Sequence, residues 1–165
     1  MTNNLNSRIV HTKLRAHRKA RAHYLAAKKY GSLNALFGVP VIIITTAVGS
    51  SIFATILQQV GNGWKIFIGL ASLAAAILAA LQTFFNFSKR SEQHQDSGAN
   101  YSKVYRKLSV LEIKAKEKTS NFDDIVSELE ICNSLLDDIE QAAPDVPDSL
   151  YDRAVEEQKN DTEGH

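Results

Sequence analysis

The sequence predicts an all-α membrane protein with a two-helix transmembrane hairpin, an N-terminal basic helix and a C-terminal cytoplasmic helical hairpin. Three observations lead to this fold class. Residues 30–64 contain no Asp, Glu, Lys or Arg, and a second run free of them covers residues 66–88. Residues 1–110 carry 14 Lys and Arg against 2 Asp and Glu, whereas residues 111–165 carry 5 against 16. After the second run, apolar residues recur at alternating spacings of three and four, as in helices that pack side by side.

The predicted organisation has four parts. They are a basic cytoplasmic helix at 1–30, the transmembrane hairpin at 31–88 with spans at about 33–57 and 66–87, a cytoplasmic helical hairpin at 89–143, and a short helix with a flexible tail at 144–165. A helix rises about 1.5 Å per residue and the bilayer core is about 30 Å thick, so about 20 apolar residues suffice for a span. A soluble bundle would need a shell of amphipathic helices around both runs, which the rest of the chain does not supply.

The charges that flank the two runs predict the orientation of the hairpin. Lys28 and Lys29 precede the first run, and Lys89 and Arg90 follow the second. The connection between the runs holds only Lys65. Because Lys and Arg accumulate on the cytoplasmic side, we expect a multi-pass protein of the inner (plasma) membrane with both termini in the cytoplasm.

Small residues form one side of the second predicted span. Ala71, Ala75 and Ala79 follow one another at intervals of four, with Ser72 and Ala76 in the adjacent row. Such a side lets another helix backbone approach closely, which predicts an association face. The neighbour is either the first span or another protomer, and packing within the chain is the default.

Two amide side chains, Gln82 and Asn86, lie one turn apart near the cytoplasmic end of the second span. An amide that faces lipid leaves its donors unpaired, so both are expected to face protein or water. They form either a hydrogen-bond clamp between helices, which is favoured, or the constriction or gate of a pore. Gly31 is expected to end the basic helix. Pro40, within the first span, marks either a helix start, which is favoured, or a kink.

The basic helix allows three interpretations. In the first, its cations keep the helix on the cytoplasmic side and contact anionic lipid. In the second, they pair with an acidic patch of the same chain, and in the third they bind a phosphate-bearing ligand. An acidic patch exists at Asp137, Asp138 and Glu140, although such a run is ordinarily a solvated face. The candidate contacts for an anionic ligand or lipid are Arg15, Arg18, Arg21, Lys89 and Arg90. Nucleic acid is not expected, because no DNA-binding motif or aromatic platform accompanies the helix.

Two apolar seams predict the cytoplasmic helical hairpin. They consist of Tyr101, Val104, Leu108, Leu111 and Ala115, and of Phe122, Ile125, Leu129, Cys132, Leu136 and Ile139. Ser120 or Asn121 is placed to cap the second helix. Cys132 lies inside its seam, so we interpret it as a core residue.

No residues suggest catalysis, a metal or a cofactor. His11, His17, His23 and His94 lie at helical spacings without a set of cysteine or acidic partners, so structural or surface roles are expected for them. The chain has no Gly-rich phosphate loop in a strand-to-helix context and no plausible combination of nucleophile, base and orienting residue. An enzyme is therefore not expected.

The order of these parts resembles the SLATT family of two-transmembrane effector domains over roughly residues 15–147. The residues that carry the resemblance are Arg18, Ala22, Tyr24, Phe37, Gly38, Gly49, Ser50, the run 81–87, His94 and Tyr101. The resemblance implies a bacterial antiviral or conflict effector, found with a nucleotidyltransferase that makes a cyclic nucleotide signal. It implies a homo-oligomer that breaches the inner membrane and kills the infected cell. The alternative is a non-conducting anchor or scaffold that recruits a partner enzyme through its cytoplasmic helices.

Overall fold

The computed structural model describes residues 2–57, 61–117 and 119–163, and every regular element within these ranges is an α-helix. The helices are α1 (Thr2–Leu57), α2 (Asn62–Phe85), α3 (Phe87–Glu117), α4 (Phe122–Ala142) and α5 (Asp148–Glu163). The all-α class is therefore confirmed. Part of the predicted turn between the spans, residues 58–60, lies outside the described residues.

The helices form two compact units, which we call the bundle unit and the hairpin unit. The bundle unit consists of Met1–Lys28 and Ser91–His165, and the hairpin unit consists of Lys29–Arg90. The bundle unit is thus assembled from two segments of the chain that the whole hairpin separates.

Helix α1 corrects two expectations, because it runs unbroken through Gly31 and Pro40. A glycine ends a helix by adopting a left-handed conformation, and no glycine in the described residues has a positive φ. Pro40 lacks the N–H that would bond the carbonyl of Leu36, yet the helix continues on both sides of it. Proline is tolerated within long apolar helices of membrane proteins, where local adjustments and neighbouring groups satisfy the freed carbonyl.

The core of the bundle unit joins the first half of α1 to α3 and α4. Both predicted seams contribute to it, and the core cluster consists of Leu5, Ile9, Ala16, Ala20, Tyr101, Val104, Leu108, Leu111, Ile125, Leu129, Cys132 and Leu136. The sequence predicted that α3 and α4 pack on each other as a pair. In the structure, the basic first half of α1 forms a third side of the same core. Phe122 is the exception, since it is 49% exposed at the very start of α4, where the core ends. Asn121 takes the N-cap position, but its side chain makes no capping hydrogen bond.

Helix α5 packs onto the bundle unit through Ala154, which is fully buried. The Gln158 Nε2 group donates to the carbonyl of Leu14 at 3.5 Å. Most of the stretch expected to be a flexible tail is therefore helical, since α5 extends to Glu163. Residues 164–165, the end of that predicted tail, lie outside the described residues.

Candidate functional site

The small-residue side of α2 packs against α1 within the same chain. Ala75 is 3% exposed, and Ala71, Ser72 and Ala79 are half-buried. Both helices line the narrow cleft at this side, through Thr45, Val48, Gly49, Ser72, Ala75, Ala76 and Ala79. Of the five residues proposed for an association face, only Ala76 is exposed. The centre of the face is thus covered by α1, and contact of Ala76 with a second protomer stays a prediction.

Gln82 forms a hydrogen bond between the two helices of the hairpin unit. Its Nε2 group donates to Oδ1 of Asn34 at 3.3 Å. Gly38 makes room for this amide, because a Cβ atom at that position would lie 2.9 Å from Gln82 Nε2. Of the two interpretations of Gln82, this geometry matches the interhelical clamp.

Asn86 does not continue the helix that contains Gln82. It ends α2 in the left-handed conformation, with φ 47° and ψ 46°, and its backbone N–H donates to the carbonyl of Gln82 at 3.0 Å. Asparagine adopts this conformation more readily than most residues other than glycine. Asn86 is exposed, so it takes no part in the interhelical contact that Gln82 makes. A role for it in a pore or gate stays a prediction.

An aromatic cluster surrounds Phe87, the first residue of α3. The Phe87 ring stacks on Phe37, Phe85 and Tyr30, with ring centroids 5.6, 5.3 and 6.5 Å away. The guanidinium of Arg90 lies 5.9 Å from the centre of the Tyr30 ring, a cation–π contact. Arg90, a candidate contact for anions, thus packs on an aromatic ring, while Lys89 is exposed.

The basic first helix pairs with acidic residues of α4 and α5. Arg15 Nη2 donates to Glu140 Oε2 at 2.6 Å, and Lys19 pairs with the other oxygen of the same carboxylate. Arg21 Nε donates to Glu157 Oε2 at 2.6 Å. The hydrogen bond from Lys19 lowers the pKa of Glu140, and the one from Arg21 lowers that of Glu157, against the opposing effect of partial burial.

The pair with Glu140 matches the acidic-patch interpretation for Arg15. Arg21, a second predicted anion contact, pairs instead with Glu157, which lies outside the predicted patch. In the described residues Arg18 has a different partner, since its Nε donates to the carbonyl of Leu14 at 3.4 Å. Arg15 and Glu140 are both more than 40% exposed, so their ion pair adds at most about 1 kcal/mol to stability. The contribution of this surface pair to the stability of the bundle unit is therefore small.

A buried histidine pair joins α1 to α3. The Nδ1 atoms of His23 and His94 lie 3.0 Å apart, so one ring donates its hydrogen and the other accepts. Both rings are almost fully buried, and His23 also stacks on Tyr101 with centroids 5.4 Å apart. Burial, followed by the adjacent His94 and by Lys19, lowers the pKa of His23 to about 4. The structural role expected for these two histidines matches this buried, hydrogen-bonded pair.

A cavity of about 340 Å³ opens beside this pair, within the bundle unit. Its walls include His23, Lys19 and Tyr101, and the segment that links α4 to α5 closes another side. Three carboxylates line the cavity, those of Glu140, Asp145 and Asp148, whereas the only ammonium group among the described lining residues is that of Lys19. The volume is that of a small-molecule site, although its charge disfavours phosphate. Sequence reasoning missed the cavity because its walls come from four separate helices and a loop.

No combination of three or more metal-ligating residues occurs in the described part of the chain. The cavity has acids and a neutral histidine, but no nucleophile activated by an adjacent base. Comparison of the chain with protein-family models, with curated proteins and with solved structures gives no match. Function has to be argued from the residues and their geometry.

Proposed function

We propose that this chain is a membrane effector of a bacterial antiviral or conflict system, which assembles into a pore or disrupts the inner membrane when a signal such as a cyclic nucleotide triggers it. One observation carries the proposal, namely the exposed apolar surface of the hairpin unit. Two helical stretches, Asn4–Ser51 and Gly63–Glu117, contain an apolar window long enough to cross a membrane. Only 6% of each window is buried.

The low burial of these windows argues against a soluble core helix. A core helix buries its apolar side chains, whereas here large ones project outward on both helices, including Leu36, Ile42, Ile43, Ile66, Phe67, Leu70, Leu73, Ile77 and Phe84. Each of these is more than 50% exposed. Soluble monomers rarely expose contiguous apolar surface of this extent, and lipid is the solvent that suits it.

Hydroxyl groups on the outside of the hairpin unit are compatible with lipid. Thr45 Oγ1 donates to the carbonyl of Val41 at 2.7 Å, and Thr83 Oγ1 donates to that of Ala79 at 3.0 Å. Ser50 bonds the carbonyl of Thr46 in the same way, at 2.9 Å. A hydroxyl bonded to its own helix does not need water. The described residues of one hairpin form no polar lining, so a conducting path would require several copies.

The trigger in this proposal rests on the resemblance to SLATT proteins and on the cations of the chain. A cyclic nucleotide carries phosphates, which the carboxylates around the cavity would repel. Among the candidate anion contacts, Arg18 and Lys89 have no carboxylate partner in the described residues. A phosphate-bearing signal would therefore act on such cations outside the cavity, or by displacing Glu140 from Arg15.

Leakage from liposomes tests the proposal. The full chain is reconstituted into liposomes that contain a self-quenched dye, over a range of protein densities, with and without cyclic di- and trinucleotides. Dye release that rises more steeply than in proportion to density indicates assembly and membrane breach. Liposomes that stay sealed at every density and with every nucleotide, while protease protection shows correct insertion, would contradict the proposal.

Two alanine variants separate packing within the chain from packing between chains. Ala75→Leu enlarges a side chain that α1 covers, so it is expected to destabilise the hairpin itself. Ala76→Leu is the matched variant, since Ala76 is adjacent but exposed. If copies associate through the outer edge of the small-residue face, Ala76→Leu reduces leakage at least about tenfold with little change in hairpin stability.

The alternative function, a non-conducting anchor that recruits a partner enzyme, is favoured by one observation. Ala75 is covered and Gln82 is bonded to Asn34, so the hairpin presents little polar surface for conduction. An anchor predicts that the inserted chain never releases dye. It also predicts that a partner enzyme remains bound to membranes carrying Ala76→Leu, because the bundle unit is untouched.

A further inference from the structure

We infer that one face of the bundle unit, formed by α3 and α4, binds the same face of a second copy of this chain. The face, which we call the α3/α4 face, consists of Lys103, Lys107, Val110 and Lys114 on α3, and of Asp124, Glu128, Ile131 and Asp138 on α4. The inference rests on the proposed function, because that function requires copies to assemble and the α3/α4 face is the contact through which they would do so. Its evidence comes from the bundle unit alone.

The apolar centre of this face is exposed. Val110 is 54% exposed and Ile131 is 55% exposed, although both belong to helices whose other sides are well buried. The two side chains line one shallow groove together with Lys107, Glu128 and the edge of Cys132. Two large aliphatic side chains at the centre of a groove form a suitable core for a contact, with charged residues as its rim.

The charges on the two helices have opposite signs. On α3, Lys103, Lys107 and Lys114 lie in the same row as Val110, at helical spacings of 4, 3 and 4. On α4, Asp124, Glu128 and Asp138 occupy the row of Ile131. Lys114 and Glu128 pair with each other at 2.7 Å, which shows that the two rows adjoin. The face is therefore basic along one helix and acidic along the other.

This distribution selects a second copy as the occupant. A two-fold axis that lies between the facing surfaces and runs along the helices places α3 of one copy opposite α4 of the other. The basic row of each copy then meets the acidic row of the other, so the same contact forms once on each side of the axis, and Val110 meets Ile131 of the second copy. A partner with charge of a single sign would match one row and be repelled by the other.

The predicted seams cannot perform this role. Leu108, Leu111, Ile125 and Leu129 are buried within the chain, so they offer nothing to another copy. The seam positions were predicted to pair α3 with α4, and in the structure they also join both helices to α1. The residues that remain for assembly lie on the opposite, outward side of the same helices.

Charge reversal tests the inference in the full chain, reconstituted in liposomes at fixed density. One variant, Lys103→Glu with Lys107→Glu, makes both rows acidic, and the other, Asp124→Lys with Asp138→Lys, makes both rows basic. Each variant alone is expected to lose at least about tenfold in self-association, measured by energy transfer between donor-labelled and acceptor-labelled copies. A mixture of the two is expected to recover it, because both contacts are again complementary.

The matched control reverses Lys116 and Asp137, which are exposed residues of the same two helices. Each lies about 100° or more around its helix from every member of the face. The inference is overturned if each charge-reversed variant, measured alone, shows wild-type energy transfer. It is also overturned if a mixture of the two variants does not recover energy transfer. A control pair that lowers energy transfer as much as the test pair also overturns it.

Dye release, measured in the same samples, separates the inference from the proposed function. Recovery of energy transfer without leakage from any sample supports the α3/α4 face and contradicts pore formation. Leakage at the wild-type level from both charge-reversed variants supports membrane breach and overturns the face. Recovery of both signals in the mixture supports both.

Discussion

Single residues set the contact between the two helices of the hairpin unit. Gln82 Nε2 donates to Asn34 Oδ1 beside Gly38, where a Cβ atom would lie 2.9 Å from that Nε2 and oblige the amide to shift. In an apolar surrounding, an amide without its partner carries the full cost of lost hydration, whereas a satisfied pair adds only a little to stability. Removal of one member should therefore cost more than removal of both.

Replacing Gln82 by Leu is expected to lower the free energy of unfolding of the hairpin by about 1 kcal/mol, because the Asn34 amide is left without its partner. The measurement is a denaturant titration of the full chain in micelles. The control is Asn34→Leu combined with Gln82→Leu, which should recover part of the loss. A double variant no more stable than Gln82→Leu alone would contradict this account.

The histidine pair makes the stability of the bundle unit sensitive to pH. The pKa of His23 is about 4 in the folded chain and 6.5 in its ordinary state, so between these values the unfolded chain binds a proton that the folded chain does not. Stability is complete above pH 6.5 and falls as the pH decreases, by at most about 1.4 kcal/mol per pH unit, until it levels near pH 4.

His23→Gln should remove this slope between pH 6.5 and 4, as followed by thermal unfolding at a series of pH values. Glu140 and Glu157 act in a different window. Their pKa values are lowered by Lys19 and Arg21, so the stability they add is present above their ordinary pKa and is lost only as the pH falls below it. A variant that keeps the wild-type slope above pH 5 would show that His23 is not its source.

At the scale of elements, a prediction agreed with the structure where it depended on residues close together in the sequence. The seams on α3 and α4 were predictable except for Phe122, because helical period alone decides which side of a helix is apolar. The helix boundaries predicted at Gly31 and Pro40 were wrong, because α1 continues through both residues. Glycine and proline disfavour a helix only weakly or locally, and the surrounding structure can override that preference. The histidine pair and the cavity depend on residues about 70 or more positions apart, and no local pattern encodes them.

The core between α1, α3 and α4 gives a prediction at the same scale. Leu108 is fully buried, so Leu108→Ala should destabilise the bundle unit by about 2 to 5 kcal/mol through the cavity it leaves. Val110→Ala, two residues away on the exposed side, should change stability by less than about 0.5 kcal/mol. Thermal unfolding of both variants provides the comparison, and equal losses would place α3 in a different register.

At the scale of the whole molecule, the flanking charges predict that the turn between the spans lies outside the cell. A cysteine at Gly63, which is exposed, should react with a membrane-impermeant maleimide in intact cells. A cysteine at Asp137 should react only after the membrane is permeabilised. In both variants Cys132, which is 4% exposed, is replaced by Ala to remove background labelling. Labelling of Asp137→Cys in intact cells would reverse the orientation.

The division of the bundle unit into two segments fixes an order of events during synthesis. Its first segment, Met1–Lys28, leaves the ribosome before the hairpin, yet its partners in α3, α4 and α5 come only after residue 90. At about 5 to 20 residues per second, the basic segment waits several seconds or longer for them. During that interval its cations have no acidic neighbours and can hold the nascent chain at an anionic inner leaflet. The same arginines would thus guide insertion first and join the bundle afterwards.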